Sequence, residues 1–247
     1  MLLSSLHPKI THHAIRYFQQ SIGFGLDTGI EKEVSIFAML SKQKNLSNLV
    51  ILDVGANVGH WSRLVSAYFP SADIYAFEPS KETFSELESN LSDNKNIKVF
   101  NFGLGETNST EVLYSDEALS GKASLTKRNL KHFNINFDKT ENITIKRLDS
   151  FLGEFSIVPN LLKIDVEGHE LSVLKGLGNH INMLEIIQFE FGGTDIDSRV
   201  FFQDFWNFFE DKPFDLFRLT PKGIIPVTSY SETDEVFSFT TYFAIAK

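Results

Sequence analysis

The sequence predicts an α/β fold with a doubly wound, mostly parallel sheet, because strand-like and helix-like segments alternate through its central region. Apolar runs occupy residues 48–55, 72–79 and 97–103, and the segments between them, 59–69 and 80–91, have helical spacing. This order is typical of βαβαβ units, which place parallel strands in one sheet. With 247 residues, the chain has room for one such domain and a short appendage.

The first 45 residues predict helices that precede the sheet. Apolar residues recur there at helical spacing, with Ile15, Phe18 and Ile22 on one face of the first helix. We therefore divide the chain into an N-terminal helical extension, residues 1–45, and a main domain, residues 46–247.

The alternation stops after residue 103 and resumes near residue 160. Two short predicted strands, STEVLYS and NITIKRL, flank a polar segment from Gly121 to Asn142. Long loops inside compact domains are usually functional, so we interpret this segment as a mobile lid over a binding site. Beyond it, helices are predicted at 169–177 and 199–211, and strands at 161–168, 183–191, 213–219 and 239–247. With the three earlier apolar runs these make seven predicted strands, apart from the two short ones.

Composition narrows the classes of function. The formal charge of −9 disfavours a protein that binds nucleic acid by neutralising phosphates. The absence of cysteine excludes a disulfide framework and a thiolate zinc site. No run approaches the ~20 apolar residues of a membrane-spanning helix, and the N-terminus lacks the apolar core of a signal peptide. We therefore expect a cytoplasmic protein with no nucleic-acid partner and no membrane span.

The first candidate site is DVGANVG, Asp53 to Gly59, directly after the first predicted strand. Glycines at a strand-to-helix turn let the backbone approach a ligand, and the helix N-terminus presents free N–H groups to an anionic group. The dinucleotide fingerprint GxGxxG requires glycines where this chain has Asn57 and His60. The spacing of the glycines therefore argues against NAD or FAD as a ligand. An ordinary tight turn that binds no ligand is the alternative explanation for the same glycines.

Acidic residues end the second and fourth predicted core strands. Glu78 closes the second strand, where an acid that follows a glycine loop binds the hydroxyls of a ribose. KIDVEGHE, Lys163 to Glu170, ends the fourth core strand with three carboxylates and one imidazole. Because ligands of open α/β sheets lie beyond the carboxyl ends of the strands, we expect both segments to face one cleft. Solvated surface carboxylates are the alternative explanation.

Metal ligation is a further possibility for these acids. Asp165, Glu167, His169 and Glu190 are all metal ligands by residue type. Their spacing follows no established metal-binding pattern, so we predict no metal site, and a metal-assisted reaction stays open as an alternative.

The chain contains four motifs in sequence order: DVGANVGHWS, AFEP, KIDVEGHE and a C-terminal FFQDFWNFFED…FRLTPKGI…YFAIA. Together they resemble the FkbM family of S-adenosylmethionine-dependent methyltransferases, over about Asn48 to Lys247. The first motif alone is typical of class I methyltransferases in general, and the combination is more specific. The resemblance implies a seven-stranded, Rossmann-like methyltransferase sheet with helices on both faces.

The resemblance also implies S-adenosylmethionine as the cofactor and assigns residues to it. The glycine loop would hold its methionine part and Glu78 its ribose, while the end of the third strand would flank its adenine. The implied cofactor-binding residues are Asp53, Gly55, Ala56, Asn57, Gly59, Glu78, Phe102 and Asp165. The implied catalytic residues are His169, Glu167 and Asp165, with Asp165 on the sulfonium side.

An oxygen acceptor is favoured over a nitrogen acceptor. The chain lacks the [NDS]PP[FYW] tetrapeptide that amino-methylating nucleic-acid enzymes carry after the fourth strand, and the resemblance favours a hydroxyl of a sugar, glycan or natural product. His169 is the side chain best matched to act as a base at neutral pH. The alternatives are a nicotinamide-dependent oxidoreductase on a similar fold and a cofactor-binding module that has lost catalysis.

Overall fold

The computed structural model describes residues 8–247, in which eleven strands form two sheets. The strands are β1 (Val50–Val54), β2 (Asp73–Phe77), β3 (Ile97–Phe100), β4 (Gly103–Gly105), β5 (Ser109–Ser115), β6 (Lys139–Arg147), β7 (Leu161–Ile164), β8 (Ile186–Phe191), β9 (Phe214–Thr220), β10 (Gly223–Val227) and β11 (Thr240–Ala246).

The larger sheet has the strand order β10-β9-β11-β8-β7-β1-β2-β3. The strands from β8 to β3 are parallel, whereas β11, β9 and β10 pair antiparallel on the other side of β8. Strand order reverses between β1 and β7, because the chain leaves β1 towards β2 and returns to β7 on the opposite side. The doubly wound α/β fold is thus confirmed, and ligands of such sheets lie beyond the carboxyl ends of the strands at the reversal.

Two details of the sheet differ from the sequence prediction. The larger sheet has eight strands within the described residues, not seven, because β10 pairs with β9 at the edge. Its Pro226 has no N–H to donate, which an edge strand tolerates but a central strand does not. The run predicted at 97–103 is also divided, since β3 ends at Phe100 and Gly103 begins a strand of the smaller sheet.

Helices cover both faces of the larger sheet. Leu52 and Val54 of β1 face one core and Ile51 faces the other, in keeping with the alternation of side chains along a strand. No helix within residues 8–247 is long and apolar enough to cross a lipid bilayer. The helices are α1 (Pro8–Ser21), α2 (Ile30–Gln43), α3 (His60–Tyr68), α4 (Lys81–Leu91), α5 (Leu148–Phe155), α6 (Glu170–Gly176), α7 (Gly193–Ser198) and α8 (Phe202–Glu210).

The second N-terminal helix, α2, shares a core with the larger sheet. Val34 and Phe37 are fully buried there, beside the strands. The buried carboxylate of Glu33 accepts hydrogen bonds from Gln188 Nε2 of β8 at 2.7 Å and from Thr241 Oγ1 of β11 at 3.0 Å. The division of the chain at residue 45 stays a prediction, and residues 1–7 of the predicted extension lie outside the described part.

The smaller sheet, β4-β6-β5, lies beyond the carboxyl ends of the larger one. The segments STEVLYS and NITIKRL, predicted as short strands, lie in β5 and largely in β6. These two strands pair antiparallel, and β4 runs parallel to β6. Residues 116–138 join β5 to β6 and are called the covering segment below. The predicted lid, Gly121–Asn142, corresponds to this segment except for its last four residues, which belong to β6.

Candidate functional site

A first cavity lies where the carboxyl ends of β1, β2 and β7 meet. Its volume, including the open mouth, is about 700 Å³. Residues from these three strand ends form its floor, and the smaller sheet and the covering segment close it from above. The lining includes Val54, Gly55, Asn57, Glu78, Pro79, Gly103, Leu104, Leu113, Ser120, Gly121, Ala123, Leu125, Ile143, Ile145, Asp165, Val166, Glu167 and His169.

The glycine loop passes very close to the backbone that follows β7. Gly55 has φ of 81°, and a Cβ atom there would lie 1.8 Å from the carbonyl oxygen of Asp165. Only glycine fits this approach, which brings the turns after β1 and β7 together. Gly59 has a different role, because a Cβ atom there would lie 2.8 Å from Leu87 Cδ1 of α4.

Glu78 lines the first cavity at the end of β2. Its carboxylate accepts hydrogen bonds from the backbone N–H groups of Asn57 at 3.1 Å and Ser80 at 3.0 Å. Burial raises the pKa of Glu78 to about 7, although these two hydrogen bonds favour the charged form. The side chain therefore fixes the glycine loop against β2 and presents a carboxyl group to the cavity.

Asp53 is fully buried beneath the first cavity and does not line it. Its carboxylate accepts a hydrogen bond from Ser62 Oγ at 2.6 Å and pairs with Lys163 Nζ at 3.2 Å. Lys163 Nζ also lies 3.3 Å from Asp165 Oδ2 and donates to the carbonyl of Gly55 at 3.1 Å. Burial alone would lower the pKa of Lys163, but Asp53, Asp165 and Glu190 outweigh it and raise the pKa.

Glu170 shapes the loop that carries the predicted catalytic residues. Its buried carboxylate accepts hydrogen bonds from the backbone N–H groups of Val166 at 2.9 Å and Gly168 at 3.0 Å. Glu167 and Gly168 both have positive φ, 55° and 97°, which the bonds to Glu170 help to hold. The loop directs Asp165, Glu167 and His169 to the first cavity.

Arg128 and Asp165 have opposite effects on the pKa of the Glu167 carboxyl group. Arg128 Nη1 approaches it to 3.2 Å, and Arg128 Nε lies 3.5 Å from Asp197 Oδ2. Burial and the charge of Asp165 raise the pKa of Glu167 to about 8, although Arg128 acts in the opposite direction. Glu167 is therefore a stronger base than an ordinary carboxylate.

His169 contacts the covering segment. Its Nε2 is hydrogen bonded to Thr126 Oγ1 at 3.1 Å, and Ser124 Oγ donates to the carbonyl of Glu167 at 2.7 Å. Burial lowers the pKa of His169, with a smaller opposing effect from Glu111, so the imidazole is neutral at pH 7.

The predicted cofactor residues divide into two groups in the structure. Gly55, Asn57, Glu78 and Asp165 line the first cavity. The others do not line it: Asp53 lies beneath it, Ala56 is buried beside Leu87 and Leu91, Gly59 packs against α4, and Phe102 belongs to an aromatic cluster with Phe77, Phe100 and Phe151.

Four residues that sequence reasoning left out of the site hold it together. A role for Lys163 could have been predicted from KIDVEGHE, because a lysine in a buried strand needs an acidic partner. The other three come from the polar covering segment, where nothing in the local pattern distinguishes a contact residue from a solvated one. They are Ser124, Thr126 and Arg128.

No group of three or more histidine, aspartate or glutamate side chains within residues 8–247 has the geometry of a metal site. A second cavity, of about 940 Å³ including its open mouth, adjoins the first. Glu167 lines both cavities, and Lys122 of the second lies between Gly121 and Ala123 of the first. The second cavity is lined by Lys122, Arg128, Leu130, Phe133, Ile135, Glu167, Glu170, Glu190, Phe191, Gly192, Gly193, Thr194 and Phe239.

The fold and the site define an S-adenosylmethionine-dependent methyltransferase. The solved structure of the plantazolicin methyltransferase BamL, in complex with an analog and S-adenosylhomocysteine, has the same fold, with a TM-score of 0.50 at 10% identity over 97% of this chain and 91% of that one. Residues 53–216 match the methyltransferase FkbM domain. The chain therefore belongs to the FkbM methyltransferase family.

Three relatives are similar to parts of this chain. Methyltransferase 1 of Beauveria bassiana is 28% identical, over 65% of this chain and 72% of the relative. Hexuronic acid methyltransferase AglP of Haloferax volcanii is 32% identical, over 56% of this chain and 54% of the AglP chain. The 2-O-methyltransferase NoeI of Sinorhizobium fredii is 23% identical, over 60% of this chain and 65% of the NoeI chain. The matched segment thus spans little more than half the length of AglP.

The cofactor is S-adenosylmethionine, and the residues of the first cavity fit it. The turn after β1 borders the cavity through Gly55 and Asn57, where a glycine loop that holds the cofactor would lie. Glu78 presents a buried carboxyl group, the type of group that accepts hydrogen bonds from ribose hydroxyls. Asp165 adds a carboxylate to the same lining, and negative charge near a cationic sulfonium is favourable.

Proposed function

We propose that this methyltransferase transfers a methyl group to a hydroxyl of a sugar or natural product. The observation that carries the proposal is the meeting of Asp165, Glu167 and His169 at the cavity formed by Gly55 and Glu78. Acids and an imidazole suit a hydroxyl acceptor, which must lose a proton as it is methylated. The names of AglP and NoeI, a hexuronic acid methyltransferase and a 2-O-methyltransferase, agree with an acceptor of this kind.

The cofactor supplies an electrophilic methyl group on a cationic sulfur. Within the proposal, Glu78 and the backbone of Gly55 and Asn57 hold the cofactor, while Asp53 and Lys163 support them from below. Asp165 lies on the sulfonium side. Most of the rate enhancement then comes from orienting the acceptor oxygen opposite the leaving sulfur.

We assign the acceptance of the hydroxyl proton to Glu167. This carboxyl group lines both cavities, so it lies where a methyl donor in one meets an acceptor in the other. Its pKa of about 8 is closer to the operating pH than that of an ordinary carboxylate, which favours a general base. His169 lines only the first cavity, and its bond to Thr126 gives it the role of holding the covering segment.

Calorimetry with S-adenosylhomocysteine tests the cofactor part of the proposal. Glu78→Gln removes the charge that favours ribose hydroxyls, so we expect binding to weaken by ~1–3 kcal/mol. Glu88→Gln, an exposed acid of α4, is the matched control and should bind as the wild type does. Equal affinity in both variants would show that the ribose is held elsewhere.

Transfer of an isotopically labelled methyl group to a panel of sugars and hydroxylated natural products tests the reaction. The proposal expects label on a hydroxyl oxygen of at least one class. Label found only on nitrogen or carbon acceptors would refute O-methylation. A chain that binds cofactor but labels no acceptor of any type would support the catalytically silent alternative.

A further inference from the structure

The second cavity is continuous with the site described above. Glu167 forms a wall that the two cavities share, and consecutive residues of the covering segment face them in turn, Gly121 and Ala123 towards the first and Lys122 towards the second. A molecule in the second cavity therefore contacts Glu167, which also borders the first cavity. An acceptor hydroxyl in the second cavity would lie beside the proton acceptor of the proposed function.

The walls of the second cavity are mainly apolar and aromatic. The covering segment contributes Leu130, Phe133 and Ile135, and the opposite wall contributes Phe191 and Phe239. Phe133 is 65% exposed and Phe239 is 37% exposed, so both rings are free to cover a ligand. Grouped aromatic surface of this kind is typical of a binding site.

The charged groups of the second cavity are largely engaged with each other. Arg128, whose side chain is only 10% exposed, pairs with Glu167 at 3.2 Å and with Asp197 at 3.5 Å. Burial raises the pKa of Glu190 well above its ordinary value, helped by Asp165 and Glu33. Lys122 is exposed at the rim. Among the described residues that line the interior, the one cation, Arg128, already has acidic partners, so an anionic acceptor would gain no free positive charge there.

We propose that the second cavity is the acceptor site, and that its acceptor is a neutral molecule carrying an apolar ring or chain beside the reacting hydroxyl. The inference rests on the proposed function and narrows its substrate class. Phe133 and Phe239 are the residues that select the apolar group, which stacks on their rings. A bare sugar lacks such a group, and a uronic acid carries a charge that the interior disfavours.

Binding of glycoside probes tests this inference in the presence of S-adenosylhomocysteine. The probes are neutral aryl and alkyl glycosides, the methyl glycoside of the same sugar, and the aryl glucuronide. We expect measurable dissociation constants for the aryl or alkyl glycosides, weakened about tenfold in Phe133→Ala and in Phe239→Ala. Phe155→Ala is the control, because Phe155 is 53% exposed on α5 and lines neither cavity.

The outcomes separate this inference from the proposed function. No binding of any aryl or alkyl glycoside, tighter binding of the glucuronide or the methyl glycoside, or equal binding in all three variants would overturn the acceptor class. In each case, normal binding of S-adenosylhomocysteine would leave the methyltransferase function intact. Loss of S-adenosylhomocysteine binding in the wild type would instead contradict the cofactor site itself.

Discussion

At the scale of single residues, Lys163 connects more of the site than any predicted ligand does. Its buried ammonium group contacts the carboxylates of Asp53 and Asp165 and the carbonyl of Gly55. A buried ion pair contributes little net stability, but removal of one partner leaves an uncompensated charge. Lys163 is therefore a positioning residue whose loss affects both strand ends at once.

We expect Lys163→Met to lower the free energy of unfolding by about 3–5 kcal/mol, because Asp53 would stay buried without its partner. The double variant Lys163→Met with Asp53→Asn removes both charges and should recover a large part of that loss. Urea denaturation of the two single variants and the double variant measures the coupling. Strictly additive losses would mean that the pair does not account for the effect.

Substitution of Glu167 and substitution of His169 should change the pH dependence of kcat in different ways. With a pKa of about 8, Glu167 is mostly protonated at pH 7 and gains its negative charge as the pH rises, so the rate should rise through about pH 8. Glu167→Gln should lower kcat by ~10²-fold or more and abolish this rise, with cofactor affinity nearly unchanged. pH profiles of kcat in the wild type and in Glu167→Gln measure this difference.

His169→Ala is the comparison for that experiment. Because His169 holds Thr126 and has no place in the proton transfer proposed here, its loss should raise KM more than it lowers kcat, and should leave the rise near pH 8 in place. The reverse result, a lost ionisation in His169→Ala and an unchanged profile in Glu167→Gln, would move the base to His169.

Residue identity alone could not separate ligands from supports in this site. Asp53 lies near the end of an apolar strand, two residues before a glycine, as a ligand would. Its partner Lys163 lies on another strand, and only the parallel pairing of β1 with β7 brings them together. Phe102 likewise ends an apolar run near the cavity, yet its ring packs with Phe77 and Phe151 in the core. Glu78 lines the cavity as expected, because βαβ order predicts that its strand lies beside β1; its role as a cofactor ligand stays a prediction.

At the scale of elements, the covering segment is attached to the site by a few polar contacts. Ser124, Thr126 and Arg128 hold it to the loop after β7, and a single bridge between Tyr114 and Ser124 joins it to β5. Local opening would break these polar contacts and also the packing of Ala123 and Leu125 against the smaller sheet. Its role as a mobile lid stays a prediction.

Hydrogen exchange tests the lid. Amide groups of residues 121–135 should exchange faster in Arg128→Gln than in the wild type, because the variant loses the pairs with Glu167 and Asp197. S-adenosylhomocysteine should slow exchange in the wild-type segment. Arg147→Gln, which removes a surface pair with Asp149, is the control and should leave residues 121–135 unchanged. Slow exchange in the free wild type and in Arg128→Gln would rule out a lid.

Elements with a regular apolar period were predictable, and those set by tertiary contacts were not. α8 was expected from its phenylalanines, although Phe202, Phe205 and Phe209 are the buried ones, and Phe201 is half exposed. β4 is only three residues long, and it exists because it pairs with β6. α5 follows β6 without a break, so no turn signal separates it from the strand.

At the scale of the whole molecule, buried acids make stability depend on pH. Burial raises the pKa of six carboxyl groups on several elements, with opposing hydrogen bonds or cations at some of them. They are Glu33, Glu78, Glu167, Glu170, Glu190 and Asp195. Each binds a proton more tightly in the folded than in the unfolded protein, so its contribution to stability is full below about pH 4.5 and is lost as the pH rises through its folded pKa.

We therefore expect the free energy of unfolding of the free protein to fall by at least ~2 kcal/mol between pH 5 and pH 8. His169 opposes this in part, because its lowered pKa makes its own contribution rise with pH. Urea denaturation at several pH values measures the slope. Glu78→Gln should make the free energy of unfolding depend less steeply on pH, whereas Glu88→Gln should show the same slope as the wild type. Stability that stays constant or increases over this interval would contradict the expectation.

The position of β11 has a consequence for how the chain is made. This strand pairs with β8 on one side and with β9 on the other, yet it is the last of the described strands to leave the ribosome. Until it emerges, the nascent chain has the parallel half of the sheet with β8 as an open edge, and the β9–β10 hairpin has nothing to join. Open strand edges attract other chains, so the edge of β8 is exposed to aggregation until β11 has been synthesised and has paired with it.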